Sequence, residues 1–176
     1  MTGAAKGTVL KLLRDLGCAC REYQDRALRD LPCKRIQCDE IWSFVGAEQK
    51  NVPVDEQGQF GMGDVWTWTA ICADTKLVPS FCIGTRDADT AYAFVQDLAG
   101  RLRERVQLTT DGHSAYLGVV EDAFGADVDY AMLVKLYGAV PAGERRYSPA
   151  KCTGCRQQKI SGDPDPGHVS TSYVER

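Results

Sequence analysis

The sequence predicts an α/β domain, a mixed five-stranded sheet flanked by helices, with a short helical extension at its N-terminus. Three observations predict it. Residues 36–45 and 65–73 are apolar, β-branched or aromatic at most positions, the signature of buried strands. Residues 87–102 repeat Ala91, Phe94, Val95, Leu98 and Leu102 at helical spacing. The strand–helix–strand order over residues 77–110 demands a crossover, so part of the sheet is parallel.

Taken in order, the chain opens with a helical stripe of Val9, Leu12, Leu13 and Leu16, which Gly17 is expected to close. A second helical run covers residues 18–31 and stops at Pro32. The first strand, 36–45, is followed by an irregular connection over 46–64, then by the strand at 65–73. A turn at 74–76 leads to a third strand at 77–84, which Pro79 assigns to a sheet edge. Short turns make these three strands an antiparallel meander. Asp87 or Asp89 can cap the helix at 87–102. A fourth strand over 106–110 ends at Asp111-Gly112, a helix over 114–124 closes at Gly125, and 129–137 forms a fifth strand. Residues 138–168 read as an insertion rich in Cys, Gly, Pro and basic side chains, and 169–176 as the start of a helix capped by Ser170 or Ser172. A meander, a helix and a parallel fourth strand are the layout of the ribonuclease-H-like sheet. The expected organisation is a helical extension at 1–35, which looks like the tail of a larger helical domain, and a sheet domain at 36–176.

Composition bounds the function. At 176 residues with 44% hydrophobic content, the chain is one domain with appendages. It contains no apolar run of membrane-spanning length. Residues 1–9 carry no signal-peptide pattern, so the expected location is cytoplasmic and no membrane partner is expected. Of the eight cysteines, Cys18, Cys20, Cys38, Cys72 and Cys82 sit inside apolar segments, which speaks for reduced thiols rather than a disulfide framework. The net charge of −3 is unevenly spread: residues 1–35 carry +4, residues 36–100 carry −7 and the remainder is balanced. A basic arm before an acidic sheet suits phosphate contact by the one and cation binding by the other.

The first strand holds two adjacent carboxylates, Asp39 and Glu40, in an otherwise apolar run. Buried carboxylates are paired or bind metal. Strand residues alternate faces, so one of the two is expected to meet a site and the other solvent or a basic partner. The alternative is an edge strand with its polar face in water. If the fourth strand adds beside the first, Asp39 and Asp111 stand on neighbouring strands, about 4.8 Å apart in the pairing direction. Glu175 can complete a trio of hard oxygen donors for Mg²⁺ or Mn²⁺. Aspartates at strand ends are also common turn residues.

Three blocks of this sequence resemble those of DDE transposases, and in particular of the insertion-sequence-one family and its relatives. They are Cys38-Asp39-Glu40-Ile41-Trp42-Ser43-Phe44-Val45, Thr110-Asp111-Gly112-His113-Ser114-Ala115-Tyr116 and Ser170-Thr171-Ser172-Tyr173-Val174-Glu175-Arg176. The stretch 144–148 and Cys152-Thr153-Gly154-Cys155 are also similar to that family. The resemblance implies a ribonuclease-H-like fold, a catalytic, metal-holding triad of Asp39, Asp111 and Glu175, and two Mg²⁺ or Mn²⁺ ions. It implies that water attacks a phosphodiester at the element's end and that the freed 3′-hydroxyl then attacks target DNA. The implied partners are double-stranded DNA, at element ends and target, and further copies of the full-length chain. Relative to the family, the sequence reads as truncated at both ends.

Other signals are less specific. Cys152 and Cys155 offer two thiols where structural zinc takes four ligands, so a knuckle turn with reduced thiols is expected and zinc is not. His113 suits either a site-facing role or the start of a helix. Trp42 and Tyr116 are expected to pack in the core. Arg145, Arg146, Lys151, Arg156 and Lys159 form a basic loop able to meet phosphate. Two alternatives to an active transposase stand: an inactive remnant that keeps the sheet and binds DNA or a protomer, and a structure-specific nuclease using the same carboxylates.

Overall fold

The computed structural model describes residues 3–138 and 152–175. A single sheet organises them. Its strands, in chain order, are β1 (Arg35–Val45), β2 (Gly63–Cys72), β3 (Phe81–Gly84), β4 (Val106–Asp111), β5 (Val128–Tyr137) and β6 (Cys152–Ser161). Their spatial order is β3-β2-β1-β4-β5-β6. β1, β2 and β3 pair antiparallel as a meander, β4 and β5 pair parallel beside β1, and β6 returns antiparallel to β5. This is the ribonuclease-H-like mixed α/β sheet, with one strand more than the five expected.

The sequence alternation explains which face is buried. Ile36 and Cys38 of β1, Trp68, Ala70 and Cys72 of β2, Val106 and Leu108 of β4 and Val128, Tyr130 and Met132 of β5 form one apolar face. Two helices cover it: α2 (Ala88–Ala99), through Ala91, Phe94, Val95 and Leu98, and α3 (Ala115–Phe124), through Tyr116, Val119 and Val120. The Asp87 carboxylate caps α2 by accepting from the Thr90 N–H at 2.9 Å, and Gly125, at φ +54°, closes α3. Trp68 lies at the centre, fully buried, tilted against Phe94 and edge-on to Tyr116, with its indole N–H donating to the Thr85 carbonyl at 3.1 Å.

The opposite face carries polar side chains that bind the chain's last segment. The Gln37 side-chain carbonyl accepts from the Tyr173 N–H at 2.9 Å, and the Gln107 amide both donates to and accepts from the Asp165 backbone at 3.0 Å. Val169, Thr171 and Val174 are buried there. Residues 163–175 therefore cross the back of the sheet, and the helix expected at 169–176 is a single hydrogen-bonded turn, Glu175 N–H to Thr171 carbonyl. Short helices are marginal without packing.

Further expectations need correction. The two N-terminal helices are one, α1 (Lys6–Ala27), running straight through Gly17. Gly17 does not take the left-handed conformation that ends a helix, and an interior glycine costs only about 1 kcal/mol. The helix buries no residue, and its leucine stripe is exposed. It is tied down at its end, where Arg101 donates to the carbonyls of Gln24 and Leu28 at 3.3 Å and pairs with Asp25 at 3.0 Å. β3 is shorter than expected and lies at the edge, consistent with Pro79 lacking a donor. β6 replaces part of the expected 138–168 insertion; it is a polar edge strand with register shifts, held by backbone pairing to β5. Gly162 ends it at φ +65°, where a Cβ would meet the Val128 carbonyl at 2.5 Å. The motif at 144–148, Arg145, Arg146 and Lys151 lie outside the described residues. No helix among the described residues is long and apolar enough to cross a membrane.

The buried indole makes a specific prediction. Trp68→Ala should lower unfolding free energy by about 3–5 kcal/mol, read from urea denaturation; a loss near zero would mean that the core is not centred there.

Candidate active site

The site forms where two parallel strands part. β1 and β4 pair only from Arg35–Gln107 to Cys38–Thr110. Beyond that, β4 stops at Asp111 while β1 runs on to Val45 with only β2 beside it. Asp39 and Glu40 are the first two residues of β1 without a neighbour on the β4 side. Asp111 is the last residue of β4, where Gly112 begins the turn into α3.

Alternation places Asp39 and Asp111 on the face crossed by residues 163–175 and Glu40 on the helix-covered face, across from Trp68. The opposite-face expectation for Asp39 and Glu40 therefore holds, and so does the basic partner, since Arg86 Nε donates to Glu40 Oε2 at 3.1 Å. The two carboxylates nevertheless approach one point from the two faces. An oxygen of each of Asp39, Glu40 and Asp111 lies within 4.8 Å of the others. The physical reason is the missing neighbour: with no strand between them, both β1 carboxylates can approach Asp111 around the open edge.

The environment is distinctive. The Glu40 side chain is fully buried, and neither its Oε1 nor the Tyr116 hydroxyl completes a hydrogen bond among the described residues. Burial raises the Glu40 pKa, while the nearby Tyr116 hydroxyl and Arg86 pull it back and Asp111 pushes it further up. Asp39 is pushed up to about 6, chiefly by burial and further by the charges of Asp111, Glu40 and Glu175, against the Glu40 N–H that donates to its Oδ1 at 2.8 Å. Asp111 accepts from the His113 N–H at 2.9 Å and lies 3.6 Å from Arg86. Three buried or half-buried carboxylates around one point, with an unpaired oxygen among them, suit a hard divalent cation.

Glu175 is not in this group. It pairs with Lys135 at 2.7 Å and accepts from the Thr171 hydroxyl, on the same face as Asp39, whose pKa its charge raises. Burial lowers the Lys135 ammonium pKa, but Glu175 more than offsets this and holds it above its ordinary value. His113 takes the helix-start role: its Nδ1 accepts from the Ala115 N–H at 3.0 Å, and burial and Arg86 lower its pKa. Tyr116 is in the core as expected. Trp42 is not: it is 43% exposed against Phe44, because β1 and β2 form a bare ribbon there. Cys152 and Cys155 lie exposed on β6, not on a knuckle turn, and Lys159 of the basic loop pairs with Asp163 at 2.8 Å. Sequence reasoning passed over Arg86 and Lys135. For Arg86 a signal existed: it is one of three bases in an acidic stretch, between a strand and a helix cap.

No protein-family model matches this chain, and no curated protein does. Among solved structures, the chain is similar to the piggyBac transposase in a synaptic complex with hairpin DNA, at 14% identity and a TM-score of 0.40, over 68% of this chain and 27% of that one. It is also similar to an endonuclease V from Bacillus subtilis, at 15% identity and a TM-score of 0.31, over 72% of this chain and 57% of that one. The chain spans less than two thirds of either neighbour, and both likenesses are of fold alone.

The raised Asp39 pKa carries a pH signature. Its folded value of about 6 lies above the ordinary 3.8, so the folded state binds the extra proton between those limits and loses stability as pH rises through them. Asp39→Asn should therefore stabilise the metal-free protein at pH 7 by about 1 kcal/mol after allowance for solvent screening, with the gain vanishing below about pH 4. Urea denaturation of both proteins across this range checks it, and a pH-independent difference would contradict it.

Proposed function

We propose that this chain is the catalytic core of a DNA transposase, of the insertion-sequence-one family or a close relative, cutting and joining phosphodiesters with Mg²⁺ or Mn²⁺. The observation that carries this reading is the convergence of Asp39, Glu40 and Asp111 at the parting of β1 and β4, with a buried Glu40 oxygen left unpaired. Asp39 and Asp111 would hold the cation, with Glu40 reaching it from the helix-covered face and Glu175 as a further donor once it leaves Lys135. A bound divalent cation, or a pair, activates the attacking oxygen and stabilises the leaving oxygen of a phosphodiester.

The chain's own residues supply position and charge. Asp111 is oriented by the His113 N–H, and Asp39 by the Glu40 N–H. Tyr116 and Trp68 wall the site off from water on the helix side. Residues 1–35, with their +4 charge, are the arm proposed to meet phosphate, and the partners are element-end and target DNA and further copies of the chain in the cytoplasm.

The Glu175–Lys135 pair favours a second reading, an inactive remnant whose Glu175 donor is withheld. Calorimetry with Mn²⁺ separates the cases. The transposase reading expects Mn²⁺ binding by the parent chain, weakened at least about tenfold in Asp39→Ala and in Asp111→Ala. Absence of binding in the parent would overturn it. Binding without DNA cleavage or strand joining would favour the remnant.

A further inference from the structure

Arg86 stands in the segment between β3 and α2. Its guanidinium reaches Glu40 Oε2 at 3.1 Å and Asp111 Oδ2 at 3.6 Å, so it bridges carboxylates from both faces of the sheet. Among the described residues, no other side chain forms a salt bridge with Asp39, Glu40 or Asp111. The guanidinium also lies 4.8 Å over the Trp66 ring, and 38% of the side chain is exposed. Trp66 pairs directly across from the exposed Trp42, so Arg86 sits at the solvent mouth of the cluster beside an aromatic surface.

That position conflicts with a cation on the same oxygens. A guanidinium and a divalent ion about 5 Å apart repel each other enough, even at the dielectric of water, to change affinity about tenfold. The two need not unbind together, because the backbone on either side is held independently. Thr85 and Asp87 bond each other, and Asp87 caps α2. The side chain is more than a third exposed and supported by a ring face rather than buried, so it can swing while its loop stays. Its planar fork of donors matches phosphate oxygens as well as carboxylates.

We propose that Arg86 is a displaceable counter-ion: it cedes Glu40 and Asp111 to a divalent cation, and its freed guanidinium becomes a phosphate ligand at the mouth of the same site. This rests on the cation reading above. Arg86 then opposes metal binding in the empty protein and favours nucleic acid once metal is in place, two effects of opposite sign from one side chain. A purely structural strut would give neither.

The test uses the full chain, with Mn²⁺ titrated by calorimetry and a duplex DNA oligonucleotide titrated in Ca²⁺. Arg86→Gln should bind Mn²⁺ about tenfold tighter than the parent and the duplex about tenfold weaker. Arg86→Lys keeps a cation without the fork, and should keep parental Mn²⁺ affinity while still losing duplex affinity; it serves if Arg86→Gln fails a thermal-melt check of folding. Parental Mn²⁺ binding that Arg86→Gln leaves unchanged or weakens would overturn this inference and leave the cation site standing. Failure of parent and variant alike to bind Mn²⁺ would overturn the cation site and this inference with it.

Discussion

The molecule depends on a mismatch in strand length. Past their last pair, Cys38 with Thr110, β1 runs on for seven residues while β4 adds only Asp111, and the gap that results gathers Asp39, Glu40 and Asp111. Had β4 continued, its backbone would have occupied that gap and the two β1 carboxylates would have been kept on separate faces. The stop itself follows from Asp111-Gly112 and the turn into α3, where the His113 ring takes the Ala115 N–H. Everything else supports the gap. The apolar face packs α2 and α3 behind Glu40, and the glutamines of the polar face fasten residues 163–175 behind Asp39.

The electrostatics follow from this geometry. Asp39, Glu40, Asp111 and Glu175 contribute four carboxylates, against the single charges of Arg86 and Lys135. Burial makes that imbalance costly, which is why Asp39 rises to about 6 and Glu40 rises with it. The two basic partners stand on opposite faces, Arg86 over Glu40 and Asp111, Lys135 over Glu175. A cluster that is short of positive charge, partly desolvated and open at one edge has the chemistry of a candidate cation site. On the proposed reading, its neighbouring cations are the groups expected to respond to metal and to phosphate.

Much of the fold was legible because it rests on patterns that burial enforces. The apolar runs of β1 and β2, the helical stripe of α2, the turn glycines and Pro79 at the edge all place elements to within a few residues. Two elements escaped. β6 has no apolar alternation to read, since it is a polar edge held by backbone bonds to β5. α1 was divided at Gly17 because an interior glycine and a helix-ending one look alike in sequence. At the site, Asp39 and Asp111 were legible from strand placement. Alternation separates Asp39 and Glu40 by face, as the structure has them, but does not reveal that their oxygens converge at the open edge, and Arg86 and Lys135 depend on contacts between distant segments.

The most direct test of the central claim is anomalous diffraction from crystals of this chain soaked in Mn²⁺. The account predicts a manganese peak coordinated by Asp39 and Asp111 at the parting of β1 and β4. Crystals that show manganese elsewhere, or no peak at those carboxylates at saturating Mn²⁺, would contradict it.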